Sequence, residues 1–160
     1  MKYKQYFNYA IRRNLKNRII FNRCLHLIKI LHRIKEEYQH KKRSMKLAIV
    51  GTRNPGVTYQ EWEKLLLNKI NPDEIQMVIS GGAKGVDTFA KLFAARHHKP
   101  YMEFAPQYDV YGRYATLKRN TQIVKEASTV IAFPSAEPKG TYHTIKEAQR
   151  LGRRVIVVNL

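Results

Sequence analysis

The segment Ser80-Gly81-Gly82-Ala83-Lys84-Gly85-Val86-Asp87 gathers three glycines, a lysine, a serine and an aspartate within eight residues. It follows the apolar run Met77-Val78-Ile79 and precedes the helical pattern of residues 88–95. A strand, a glycine-rich turn and a helix start, in that order, make an anion site. Glycine lets the backbone approach a phosphate closely. The first N–H groups of a helix have no partner within it and point at a bound anion. Ser80, Gly81, Gly82, Ala83, Lys84, Gly85 and Asp87 are therefore candidate ligand contacts. The plainer alternative is a tight strand-to-helix turn that binds nothing.

Two further segments resemble this one. Gly51-Thr52-Arg53-Asn54 follows the apolar run of residues 47–50, and residues 134–141 follow the run of residues 129–133. Both contain glycine with a hydroxyl or a cation. Arg53 would meet a phosphate as a planar fork and Lys84 as a point charge. Gly140 and Thr141 would offer backbone and hydroxyl donors at another helix start. Arg119 and Asn120 open a helix of their own and belong to the same set, against the alternative of a solvated helix face. Asp87 has two readings: an acid that complements the helix dipole, or a contact to a ribose hydroxyl. Asp87 and Glu147 are the only carboxylates placed for catalysis. His97 and His98 end a helix, and no spacing of Cys, His and carboxylates suggests a metal. His143 follows the last glycine turn and could face the cleft or serve a structural role. Tyr108, Tyr111 and Tyr114 form a loop that could stack on a base or simply pack at the surface.

The elements that must hold these residues follow from periodicity. Short apolar runs at residues 47–50, 77–79, 101–104, 129–133 and 155–158 read as strands, and strands that are continuously apolar rather than alternating suit a parallel sheet covered on both faces. Helical patterns at 59–70, 86–97, 118–127 and 141–151 alternate with them. Thr58 caps the first helix, Pro72 limits it, and Gly152 stops the last. The expected domain over residues 45–160 is α/β and Rossmann-like: an open, mostly parallel five-stranded sheet with helices on both faces. Ligands in such folds sit beyond the carboxyl ends of the strands. All three glycine segments fall on that edge.

Residues 1–44 differ in texture. They carry 13 Lys and Arg against two acids, and no Gly or Pro. Apolar residues recur in steps of three and four through Phe7, Ile11, Leu15 and Ile19, then through Ile20, Cys24, Leu27, Leu31, Ile34 and Tyr38. This predicts a basic amphipathic helical extension over residues 5–38, with a linker over 39–44. The chain's net charge of +18 favours a polyanionic partner. The extension is expected to contact nucleic acid or anionic membrane nonspecifically, or to self-associate. Cys24 is the only cysteine, so no intrachain disulfide forms. No apolar run is long enough to span a bilayer. The start lacks a secretory signal, although its arginine-rich, acid-poor character is similar to a transit peptide. A cytoplasmic location is expected. Met45, directly before the first strand, could itself be a start.

The motifs of residues 48–54, 80–87, 108–112, 118–120 and 139–143 together resemble the SLOG superfamily. These are Rossmann-like nucleotide-binding domains related to LOG-type phosphoribohydrolases and DNA-processing protein A. The resemblance covers residues 45–160 and is nearest the small standalone YspA-like branch. It implies binding of a nucleotide or an ADP-ribose-like ligand, as sensor or carrier, with no cofactor. It also allows hydrolysis of a nucleotide N-glycosidic bond, or single-stranded DNA binding of the DNA-processing type. It leaves homo-oligomers open, since many superfamily members pair through helices. LOG-type enzymes place a catalytic glutamate where this chain has Thr144, which weakens the hydrolase reading.

Overall fold

A computed structural model describes residues 18–135 and 139–160. The chain divides into two units, Met1–Lys42 and Arg43–Leu160.

The described part of the first unit is one helix, α1 (Arg18–Arg43). The expected linker over 39–44 is instead mostly helix. Residues 39–43 contain no Gly or Pro, and Gln, Lys and Arg sustain helix well. The amphipathic pattern predicted over residues 5–17, with Arg12, Arg13 and Lys16, lies outside the described residues.

The second unit runs β1 (Met45–Gly51), α2 (Tyr59–Leu67), a 3₁₀ turn (Pro72–Glu74), β2 (Ile75–Ser80), α3 (Val86–Arg96) and β3 (Tyr101–Glu103). Then come α4 (Tyr108–Tyr111), a 3₁₀ turn (Gly112–Tyr114), α5 (Ala115–Glu126), β4 (Thr129–Phe133), α6 (Lys139–Arg150) and β5 (Arg154–Val157). The sheet has five strands in the order β3-β2-β1-β4-β5, and every pair is parallel. The Rossmann-like α/β architecture expected from the apolar runs is the one observed.

The runs of β1, β2 and β4 are continuous because these central strands are buried on two sides, whereas the edge strands β3 and β5 are only partly buried. Leu47, Ile49, Val78, Ile131 and Phe133 face one layer with Trp62 and Leu66 of α2 and Val86, Ala90 and Phe93 of α3. Ala48, Val50, Ile79, Val130 and Ala132 face the other with Ile123 and Val124 of α5 and Ile145 and Ala148 of α6. The alternation along β1 thus sends neighbouring residues into different cores.

Helix α2 starts with a capping box. The Thr58 N–H donates to Glu61 Oε2 at 2.8 Å, and the Glu61 N–H donates to Thr58 Oγ1 at 3.4 Å. It ends before residue 70, with Asn68 as its C-cap. Glu63, buried on α2, ties this helix to α3. It accepts from the Tyr59 hydroxyl at 2.7 Å and bonds His97 Nε2 at 2.9 Å, with Arg96 3.7 Å away. Burial opposes the Glu63 charge, but these bonds and the Arg96 charge hold its carboxyl below the usual range. His97, at the end of α3, is engaged in this structural contact.

The segment 108–114, expected as a loop, is helical and leads directly into α5. Helix α5 therefore starts at Ala115, three residues before the expected boundary.

Candidate functional site

The chain reverses direction across the sheet after β3, so β1 and β4 lie side by side while their following segments diverge. Such a switch point leaves a crevice at the carboxyl ends of the strands. A cleft of about 510 Å³ opens there. Val50, Gly51, Thr52 and Arg53 line it from the end of β1, and Ala83 and Asp87 from the turn after β2. Helix α5 contributes Thr116, Arg119, Asn120 and Ile123. Ser135, Gly140, Thr141 and Thr144 close it from the segment after β4 and from α6.

Backbone bonds lock the three segments together. The Thr52 N–H donates to Phe133 O at 2.9 Å, and the Val86 N–H donates to Thr52 O at 3.1 Å. Gly85 makes the second contact possible. Its φ is +80°, and a Cβ there would stand 2.5 Å from Thr52 O and 2.6 Å from Arg53 O. Only glycine fits both the conformation and the space.

Arg119 and Asp87 form the buried centre of the wall. Arg119 Nη1 donates a short hydrogen bond to Gly81 O and lies 3.8 Å from Asp87 Oδ2. Asp87 Oδ2 also accepts from the Ala83 N–H at 3.1 Å. Burial raises the Asp87 pKa, and the Ala83 bond and the Arg119 charge oppose that rise. The pair clamps the glycine turn: Arg119 holds its start and Asp87 its middle. Across the cleft, Gly140 O accepts from Thr144 Oγ1 at 3.2 Å and from Asn120 Nδ2 at 3.5 Å. Among the described residues, and apart from its own helical turn, no atom lies within 4 Å of where a Gly140 Cβ would stand.

The structure thus brings nine of the predicted residues to one cleft: Gly51, Thr52, Arg53, Ala83, Asp87, Arg119, Asn120, Gly140 and Thr141. Ser80, Gly81, Gly82, Lys84, Gly85 and Glu147 do not line it. Ser80 is buried behind the turn. The space beside Gly81 is filled by Arg119 and that beside Gly82 by Glu103, so these glycines allow close internal packing. Lys84 is exposed on the outside of the turn. Glu147 is held by Arg150 through two bonds of 2.8 and 2.9 Å. Of the two carboxylates considered for catalysis, one is therefore outside the cleft and the other serves the clamp. His143 is also absent from the lining. Residues 136–138, part of the predicted third segment, lie outside the described residues. Among the described residues, no group of three or more His, Cys, Asp or Glu could hold a metal ion. No described helix is long and apolar enough to cross a membrane.

Sequence reading missed Thr116 and Ile123. Thr116, Arg119, Asn120 and Ile123 are spaced i, i+3, i+4 and i+7, the signature of one helix face. That signal lay in the sequence, but the helix was expected to start after Thr116.

Fold and switch-point cleft together define a SLOG-type Rossmann-like domain. The sequence pattern of the DNA recombination-mediator protein A family matches residues 35–106. The Gene 61 protein of Mycobacterium phage D29 is 31% identical over 86 residues, which span 50% of this chain and 69% of the phage protein. The chain belongs to this DNA-processing-protein-A-like family. Two solved structures share its fold. DNA processing protein A from Streptococcus pneumoniae superposes with a TM-score of 0.57 at 20% identity, over 71% of this chain and 50% of that one. DNA processing protein A from Helicobacter pylori, described for its single-stranded DNA binding mode, gives 0.55 at 19% identity, over 71% and 64%. The chain thus spans about half to just under two thirds of these larger proteins.

Proposed function

We propose that this protein binds single-stranded DNA, with a backbone phosphate in the switch-point cleft and neighbouring bases on the tyrosines of α4 and the 3₁₀ turn that follows it. The observation that carries this reading is the path from α4 to α5. Tyr108 and Tyr114 are more than half exposed, and Tyr111 is exposed too. They sit on the segment that runs without a break into the cleft-lining face of α5. Stacking surfaces beside a cationic groove are the recurring means of holding a single strand, and each stacked base contributes about 1–3 kcal/mol. The family, the single-strand binding of the Helicobacter pylori protein and the net charge of +7 over residues 45–160 support the same partner. A free nucleotide or ADP-ribose-like ligand would use the same cleft but bring a single base, leaving most of the exposed tyrosine surface without a role.

Arg53 stands exposed at the cleft rim and is assigned to a phosphate. Fluorescence anisotropy with a labelled oligothymidylate tests this. Affinity should fall steeply with salt. Arg53→Ala should weaken binding about tenfold at low salt and reduce the log–log salt slope by about 1. Thermal stabilisation by ADP-ribose, without affinity for the oligonucleotide, would return the cleft to the small-ligand reading.

A further inference from the structure

We infer that helix α1 is an anionic-membrane docking element, lying on the lipid surface rather than crossing it. This inference is independent of the cleft. Leu27, Ile28, Leu31, Ile34 and Tyr38 are each more than half exposed, and Ile30 is exposed as well. Helical geometry places these six side chains on one arc of about 160°, at 100° per residue. Lys29 and Arg33 fall on the opposite side of the helix, and Arg23 and Lys35 fall within the arc, where their long aliphatic stems would carry the charges up to the headgroups. Over its 26 residues α1 has eight Lys and Arg against two acids, a net charge of +6.

Three occupants fit an apolar, cationic helix: a second copy, a nucleic acid or an anionic lipid surface. A second copy would bring two strongly like-charged helices together, which opposes pairing. The apolar arc is also wider than the two-position seam of a two-stranded coiled coil, because Ile28 and Ile30 flank that seam. Nucleic acid would satisfy the cations but leave six large apolar side chains without a partner. An anionic bilayer surface satisfies both halves: aliphatic side chains enter the boundary between headgroups and acyl chains, and the cations meet lipid phosphates. The helix is not apolar enough to span, and an interfacial helix does not need to be.

Flotation of the full chain with vesicles tests this. One set is phosphatidylcholine alone; the other contains about 30% phosphatidylglycerol. The parent should bind the anionic vesicles at least about tenfold more tightly than the neutral ones, and raised salt should weaken the binding. Leu27→Glu with Leu31→Glu keeps good helix formers on the helix and places charge in the apolar arc. This double variant should lose at least about tenfold in vesicle affinity while keeping the parent's melting temperature and oligothymidylate affinity. Equal vesicle binding by parent and double variant would overturn the inference. So would failure of the parent to bind anionic vesicles, including the case in which sedimentation shows an oligomer that the double variant dissolves. The latter result would assign the helix to a second copy instead.

Discussion

Replacing Arg119 with methionine should cost the domain about 3–5 kcal/mol, the usual size for removing one partner of a buried ion pair. Arg119 and Asp87 both have side chains less than a tenth exposed, 8% and 9%. Methionine fills most of the space but leaves the Asp87 carboxylate without its cation and Gly81 O without its donor. Urea unfolding followed by fluorescence of Trp62, the only tryptophan, measures the loss. The pH dependence identifies its cause. Burial already raises the Asp87 pKa, and the Arg119 charge opposes the rise. Without that charge the folded-state pKa moves further above the unfolded value. A group raised in the folded state binds its proton more tightly there, so its contribution to stability improves as pH falls. The gap between variant and parent should narrow from pH 7 towards pH 5. Adding Asp87→Asn should restore most of the loss, because asparagine still accepts from the Ala83 N–H without a charge. A gap that stays constant with pH, or a double variant no better than the single one, would separate Asp87 from the effect.

Trp62→Ala should cost about 3–5 kcal/mol as well, through a cavity rather than a charge. Trp62 is fully buried. Its ring centroid lies 5.4–6.2 Å from those of Tyr59, Phe89, Phe93 and Phe133. This cluster joins α2 and α3 to β4 in the layer away from α5 and α6. Few neighbours can move to fill the space, because each ring is held by its own helix or strand. Urea unfolding followed by circular dichroism reads the loss, since the variant lacks the fluorescent probe. Below its own transition the variant should bind oligothymidylate like the parent. A cost under about 1 kcal/mol would mean that the layer repacks around the deletion.

Much of this architecture was legible because its physics is local. Short apolar runs gave the five strands, and the lack of alternation in β1, β2 and β4 followed from burial on both faces, as Leu47 and Ala48 illustrate. The switch-point position of the cleft followed from strand topology. The glycines were harder. A glycine signals close approach, but not what approaches. At Gly81 and Gly82 it is the protein's own Arg119 and Glu103; at Gly140 the space is open. That difference depends on partners 20 or more residues away in sequence, beyond the reach of a local pattern. Residues 108–114 were read as a loop because their helical turns are short and broken by Gly112, whose φ is +49°. This one error also displaced the start of α5 and concealed Thr116. The expected linker at 39–44 rested on charge alone, and charge does not end a helix.

Gly140→Glu tests most directly whether single-stranded DNA enters the switch-point cleft. Gly140 lies in the first turn of α6, and no described residue outside that turn stands where its side chain would be. Glutamate is a better helix former than glycine, so the fold should tolerate it, while its carboxylate would occupy the cleft and repel phosphate. The measurement is oligothymidylate affinity of the full-length variant beside its melting temperature, with Gly140→Ala as the neutral control. A loss of about 10–100-fold for Gly140→Glu, with Gly140→Ala near the parent and both melting like it, is the expected result. Parent-like affinity in a folded Gly140→Glu variant would contradict the account and place the DNA elsewhere on the protein.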